Sequence, residues 1–330
     1  MKVLVTGATG MIGATLTRHL LDRGATIRIL RRATSRLDLL GPAADHVEHV
    51  LGDLTDTSRL FEAMQGVEHV YHVAAHIALG GRRERARLFA VNVRGTAHVV
   101  DAALAAGVER LVYTSSIAAL GRPENLDRPI DERLEWHDSP LNTSYAVSKH
   151  QAELEVYRGL AEGLDAVIVN PSLVFGVGRS GENTYQIAER IARGSFPVIP
   201  SGSTNVVDVQ DVAAGHVRAM QYGRAGERYL LGGENLPWRT VIGTLAEALG
   251  VTPPRRRLPP GLALAAASLA EAVAFITRGQ PLLTRAMARS ISRSYTYDNR
   301  KAAEVLGCSF RPFTATAQRM AQAIRQRASF

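Results

Sequence analysis

Short apolar runs alternate with amphipathic stretches over the first 175 residues of this 330-residue chain. Runs at 2–6, 26–30, 47–51, 69–74, 110–115 and 166–170 have the length and the β-branched content of strands. Stretches such as 11–22 and 88–105 carry apolar residues at helical spacing, the second stopping just before Gly107. Strands separated by helical stretches build βαβ units, and right-handed crossovers put helices on both faces of a parallel sheet. After Pro171 the pattern changes. Gly and Pro punctuate 175–204, one further strand reads at 229–231, and alanine-rich helices run from 239 to the end. The last of these places Phe313, Ala317, Met320 and Ile324 on one stripe. The pattern predicts an α/β fold: a doubly wound parallel sheet over 1–175, with a returning segment at about 203–233. A smaller, mostly helical substrate-binding lobe follows from 176–202 and 234–330.

Composition narrows the setting. Hydrophobic residues at 46% and charged residues at 21% suit a chain that buries a core. One cysteine, Cys308, leaves no disulfide framework and no thiolate metal cluster, so no metal is expected and a reduced, cytoplasmic location is. The first residues run straight from an apolar strand into glycines, without the apolar core of a signal peptide. The net charge of +8 comes almost entirely from arginine, clustered at Arg31/Arg32/Arg36, Arg82/Arg83/Arg85/Arg87 and 255–257. Neither interleaved aromatics nor a known module accompanies these clusters, so no nucleic-acid partner is expected. The most apolar stretch, 258–277, contains Pro259, Pro260 and Glu271. It reads as a helix of the lobe over the substrate, with contact to a membrane surface as the alternative.

The first strand leads into Thr6-Gly7-Ala8-Thr9-Gly10-Met11-Ile12-Gly13 and then a helix. Glycines at such a position give a tight turn, let backbone N–H groups approach a pyrophosphate and let the helix pack closely on the sheet. The helix N-terminus adds partial positive charge. This is the dinucleotide loop of a Rossmann fold. Its Gly-x-x-Gly-x-x-Gly spacing has one residue more in the first gap than most NAD dehydrogenases show. An NAD site places a carboxylate about 20 residues after the loop. Here the second strand ends in Arg31-Arg32, with no acid before Asp38. Two guanidiniums match a 2′-phosphate, so NADP(H) is favoured, with NAD(H) as the alternative. Asp56 reads as a helix cap.

Tyr145 and Lys149 are four residues apart, hence one turn apart on one helix face. An ammonium beside a phenol favours phenolate, as a general acid/base near neutrality requires. The strand at 110–115 delivers Thr114-Ser115-Ser116 to its C-terminal edge, where open α/β sheets bind ligands.

The glycine loop, Asp53-Leu54, His72-Val73-Ala74-Ala75, Asn92-Val93-Arg94-Gly95-Thr96, the serines and Tyr145/Lys149 stand in one order. In these motifs, over residues 1–175, the chain resembles the extended short-chain dehydrogenases/reductases of the NAD-dependent epimerase/dehydratase superfamily. That resemblance implies that Tyr145 exchanges a proton with the substrate oxygen, that Lys149 binds the nicotinamide ribose and tunes Tyr145, and that Ser116 polarises the carbonyl. It further implies cofactor contacts at Gly7, Thr9, Gly10, Met11, Ile12, Gly13, Arg31, Arg32, Asp53, Leu54, Val73, Ala74, Ala75 and Thr114. Pro171, Leu173 and Val174, in the segment from Asn170 to Gly176, would line the nicotinamide. Asn92 would brace the active-site backbone. His72 reads as a hydrogen-bonded core histidine. His76, Ile77 and Phe175, with Ser116, are the candidate substrate contacts.

The family's sugar-nucleotide dehydratases carry an Asp-Glu pair just after the Ser/Thr; here those positions are Ile117-Ala118. Its nucleotide-sugar epimerases grip the diphosphate with an arginine that the stretch 202–212 lacks, although Arg179, Arg190 or Arg193 could substitute. The same stretch, with 226–235, resembles the dihydroflavonol-reductase-like branch and proteins called hopanoid-associated sugar epimerases. The implied reaction is reduction of a ketone or aldehyde, the alternatives being a nucleotide-sugar epimerase, a 3β-hydroxysteroid-like dehydrogenase or a non-catalytic NADP sensor. A homodimer is the family default. Substrate choice would lie in 77–87, where Ile77 and Leu79 are apolar, in 121–143 and in the lobe.

Overall fold

The computed structural model describes residues 1–77, 82–122, 128–196, 198–254, 256–277 and 284–328. Leu79, Arg255 and parts of the two specificity segments, 78–81 and 123–127, lie outside the described residues, as do the side chains of Arg82 and Arg83.

The chain runs β1 (Lys2–Thr6), α1 (Met11–Leu21), β2 (Thr26–Arg31), β3 (Glu48–Leu51), α2 (Thr57–Met64), β4 (His69–His72), α3 (Arg82–Phe89), α4 (Gly95–Ala106) and β5 (Arg110–Thr114). It continues with α5 (Ser144–Ala161), β6 (Ala166–Pro171), β7 (Leu173–Phe175), α6 (Asn183–Ala192), β8 (Ile199–Pro200), β9 (Ser203–Asp208), α7 (Val209–Tyr222) and β10 (Arg228–Leu231). The last elements are β11 (Glu234–Pro237), α8 (Trp238–Leu249), β12 (Arg257–Leu258), α9 (Pro260–Thr277), α10 (Arg285–Ile291), α11 (Arg300–Leu306) and α12 (Phe313–Ala328).

Seven parallel strands form one sheet in the order β10-β6-β5-β4-β1-β2-β3. The apolar runs are continuous because both faces are covered. Val3 and Val5 meet α1 and α7 on one side, through Leu16, Val212 and Val217. Leu4 faces α2, α4 and α5 on the other, through Leu60, Val99 and Val156. The expected strands are present, with β4 ending at His72 rather than 74. There Val73 and Ala74 turn to donate their N–H groups to Thr6 O and Thr6 Oγ1. The helix expected at 88–105 begins earlier, at Arg82, and is interrupted by a single π turn over Ala90–Arg94. Such turns are rare and cluster at functional sites.

Beyond β6 the chain forms a three-stranded sheet, β11-β9-β7, which the sequence pattern did not reveal, and a short β8/β12 pair. Phe175, Tyr185, Val206, Val241, Phe313 and Met320 close a second core between this small sheet and helices α6, α8 and α12. The returning segment passes through β9 and α7 before β10 joins the large sheet beside β6. Asp208, at the β9–α7 junction, is 1% exposed. It caps α7 by accepting Gln210 N–H, and it also accepts from Thr316 and Arg319 of α12.

The 258–277 stretch folds mostly as α9. Two of its alanines, Ala263 and Ala267, pack toward Ala288 of α10, while Leu262, Leu269 and Val273 are exposed. Among the described residues no helix is long and apolar enough to cross a membrane.

Candidate active site

The strand order reverses at β1 and β4, which opens a crevice beyond their C-terminal ends. The glycine loop sits there, between β1 and α1. Gly7 has φ +72° and lies so close to β4's exit that an added Cβ would meet Ala74 N at 2.5 Å. At Gly13 a Cβ would stand 2.2 Å from Gly7 O. Gly10 differs: its Cβ would meet only Gly7 O, at an ordinary 3.4 Å, leaving the loop's outer side open. Gly10 begins α1 with no side-chain cap, and the first turn carries no acid. Orphan N–H groups therefore face the crevice, which fits a cofactor pyrophosphate. Thr9, Met11 and Ile12 lie in this loop and first turn, and Val73 and Ala74 back onto Gly7.

Beyond the end of β3, Asp53 Oδ1 accepts the N–H and hydroxyl of Thr55 in a tight turn. Leu54 is buried, and its carbonyl lies 2.9 Å from His98 Nδ1. Asp56 caps α2 by accepting Arg59 N–H. The two arginines part company. Arg31 Nε donates to His49 Nδ1 at 2.7 Å, along β3, whereas Arg32 is exposed. Arg179 reaches over from beyond β7, donating to Thr9 O at 2.7 Å and to Asp38 Oδ1 at 2.8 Å. Arg190 lies over the Phe196 ring and Arg193 beside Glu189.

Ser116, Tyr145 and Lys149 come together at the end of β5. Ser116 caps a short 3₁₀ turn, accepting Ala118 N–H, and its hydroxyl favours the ionised form of the half-buried Tyr145 phenol. Lys149 is 2% exposed and donates to Thr114 O at 2.7 Å and Tyr113 Oη at 3.2 Å. Burial pulls this ammonium down to about 7, against the raising influence of Glu153. Burial also pushes the Tyr145 phenol above its ordinary value, the Ser116 hydroxyl only partly offsetting it. The expectation that the lysine lowers the phenol is thus not met. Lys149 is turned toward β5, and desolvation dominates.

The surrounding shell holds the site from the backbone. Asn92, inside the π turn, accepts His76 N–H at 2.7 Å and donates to His76 O and Ser148 Oγ, both at 3.0 Å. Ser148 in turn donates to Tyr145 O. Thr114 Oγ1 is 2.7 Å from His216 Nε2. His76 pairs with Glu84 at 2.8 Å and Ile77 is exposed. Phe175 is fully buried, edge-on to Phe313 at 5.0 Å between ring centres. The structure therefore assigns Phe175 to packing in the second core, because the short strand β7 turns its side chain inward. Pro171 ends β6, and Leu173 and Val174 lie on β7. Ser172 Oγ and Asn170 Oδ1 are buried there with no protein partner. Among the described residues no cluster of histidine, cysteine and acid has the makings of a metal site.

Sequence reasoning missed Tyr113, Glu153 and the structural weight of Asn170. Tyr113 was readable only as a strand residue, and Glu153 as part of a polar helix face. A weak signal was the spacing of Glu153, one further turn along the face of Tyr145 and Lys149.

His72 and His216 are fully buried beside this site, and burial lowers them to about 3 and about 4. Between about pH 6.5 and 4 the unfolded chain binds protons that the fold refuses, so stability falls as pH drops. Each histidine contributes about 1.4 kcal/mol per pH unit. Urea unfolding at pH 6.5 and 5 is expected to show this loss, and His72→Gln to reduce it; equal stability at the two pH values would contradict the assignment.

Residues 3–232 match the model of the NAD dependent epimerase/dehydratase family. A Synechocystis sp. protein carrying the name dihydroflavonol 4-reductase is 36% identical over 325 residues, 97% of this chain and 92% of its own. Sterol demethylase protein B of Methylococcus capsulatus is 38% identical over 279 residues, covering 79% of each chain. Among solved structures, gox2253 shares 34% identity with a TM-score of 0.86 over 98% of both chains. With its seven-stranded Rossmann sheet, its glycine loop and this similarity, the chain belongs to the NAD dependent epimerase/dehydratase family and is an NAD(P)-dependent enzyme of the oxidoreductase type.

Proposed function

We propose that the protein is an NADP(H)-dependent reductase that converts a ketone or aldehyde to an alcohol. The observation that carries this reading is the convergence of Ser116, Tyr145 and Lys149 at the end of β5, with no acid following Ser116. Bound there, the cofactor would supply the hydride. Tyr145, held as a neutral phenol by burial, would donate the proton to the carbonyl oxygen, and Ser116 Oγ would give that oxygen a second hydrogen bond. Lys149, as an ammonium, would hold the ribose and stabilise the phenolate left behind. Ile117 and Ala118 are buried and apolar, so no side chain stands ready to expel water. The name of the Synechocystis relative supports the same chemistry.

A nucleotide-sugar epimerase would need a cation for the diphosphate. Arg179 is engaged at the glycine loop and Asp38, and the 203–208 stretch is the largely buried strand β9. Oxidation of NADPH with a panel of ketones, aldehydes and nucleotide sugars tests the reading. Turnover with simple carbonyls is expected. Activity confined to nucleotide sugars, with no net NADPH consumed, would sink it.

NADP(H) rather than NAD(H) is supported by the exposed Arg32 at the end of β2. A charge-assisted contact to a 2′-phosphate is worth about 1.5–3 kcal/mol. Arg32→Ala is therefore expected to weaken NADPH binding about 10- to 100-fold while leaving NADH nearly unaffected. Equal losses for both cofactors would count against a 2′-phosphate contact.

A further inference from the structure

One turn beyond Lys149 on α5 stands Glu153, whose side chain is 1% exposed. Residues four apart share a helix face, so acid and ammonium lie on the strip of α5 that packs over β5 and β6. Glu153 Oε1 accepts Asn170 Nδ2 at 2.7 Å, and the same Nδ2 donates to the Ser116 carbonyl at 3.0 Å. Glu153 Oε2 lies 3.6 Å from Arg228 Nη1 of β10. A buried anion is costly unless cations and donors compensate it. Here the compensating groups lead to two members of the candidate site, Ser116 through Asn170 and Lys149 through charge.

We propose that Glu153 is a positioning residue of the reaction site: its buried charge holds Lys149 as an ammonium, and its bond to Asn170 fixes the backbone at Ser116. The inference rests on the role given to Lys149 under the proposed function. The groups facing the pair are His72 on β4, Tyr113 on β5, Tyr145 and Tyr157 on α5 itself and Arg228 on β10. His72 is held neutral at pH 7 by burial, and burial keeps all three phenols protonated. Arg228 adds positive charge. Glu153 is therefore the neighbour whose charge opposes the desolvation of Lys149. Burial raises the carboxyl of Glu153 itself, while Arg228, Asn170 and Lys149 favour its ionised form.

The chain has three lysines, Lys2, Lys149 and Lys301, so lysine labelled with ¹³C at Cε gives three signals, assigned with Lys2→Arg and Lys301→Arg. In the ligand-free protein the Lys149 signal is expected to titrate near pH 7. In Glu153→Gln its midpoint should fall by about one pH unit, a tenfold weaker hold on the proton. Glu153→Asp, which keeps the charge, should restore most of that loss, and it serves alone if the glutamine variant does not fold. A Lys149 midpoint unmoved by Glu153→Gln, or one that Glu153→Asp lowers as far, overturns the proposal. A second readout is the pH profile of turnover: the alkaline fall in kcat should move to lower pH in Glu153→Gln, with KM for the carbonyl little changed. The NMR titration needs neither cofactor nor substrate. A chain inactive on every carbonyl with a normal Lys149 response would sink the reductase reading alone.

Discussion

Tyr145→Phe is expected to lower carbonyl reduction by about 10²–10⁴-fold, the usual worth of a positioned general acid. The phenyl ring keeps nearly the same volume, so the change removes one hydroxyl and little else. The Ser116 hydroxyl keeps Ala118 N–H as its donor. NADPH affinity should stay within a factor of about two, because the glycine loop and the N-terminus of α1 carry the phosphates. Single-turnover NADPH oxidation and a fluorescence titration separate the two quantities. The same variant distinguishes the enzyme from a cofactor-sensing protein, whose function would survive the loss of the hydroxyl. Unchanged turnover would remove Tyr145 from the chemistry.

Gly13→Ala should damage both stability and cofactor binding. Its Cβ would lie 2.2 Å from Gly7 O and 2.7 Å from Gly7 C. Both are backbone atoms, so no flexible side chain can yield, and α1 must lift from β1. Overpacking of this kind costs about 1–3 kcal/mol or more, several degrees in Tm for a chain of this size. It also moves the N–H groups that face the crevice, and NADPH affinity should fall by more than about tenfold. Gly10→Ala is the control: at 3.4 Å from Gly7 O the methyl fits the fold but projects toward the phosphate position. Thermal melts should leave Gly10→Ala near wild type while NADPH titration shows weakened binding. Full affinity in both variants would contradict the pyrophosphate reading.

The large sheet was legible because its strands are buried on both faces and so read as unbroken apolar runs. The glycine loop and the Tyr145/Lys149 pair were legible because short-range spacing alone places them. The small sheet was not. Strand β9 reads Ser-Thr-Asn-Val-Val-Asp, and its buried polar residues find partners far away, Asn205 Nδ2 donating to Asn235 Oδ1 and Asp208 accepting from Thr316. No local pattern announces such partners. Nor does local pattern give the sign of a pKa. The Tyr145/Lys149 spacing suggested a lowered phenol, but which neighbour Lys149 bonds to depends on how α5 packs against β5. Glu153 escaped for a related reason, since a polar residue on a helix reads as solvent-facing until the fold covers it.

The Asp208 junction has a temporal meaning. Its carboxylate lies where β9 hands the chain back toward the large sheet, yet its cationic partner, Arg319, is made more than one hundred residues later. During synthesis, β9 and α7 are complete while that buried charge still lacks its counter-ion. The second core likewise waits for Phe313 and Met320. The junction therefore gains its counter-ion, and the second core its closing side chains, only once α12 has been made.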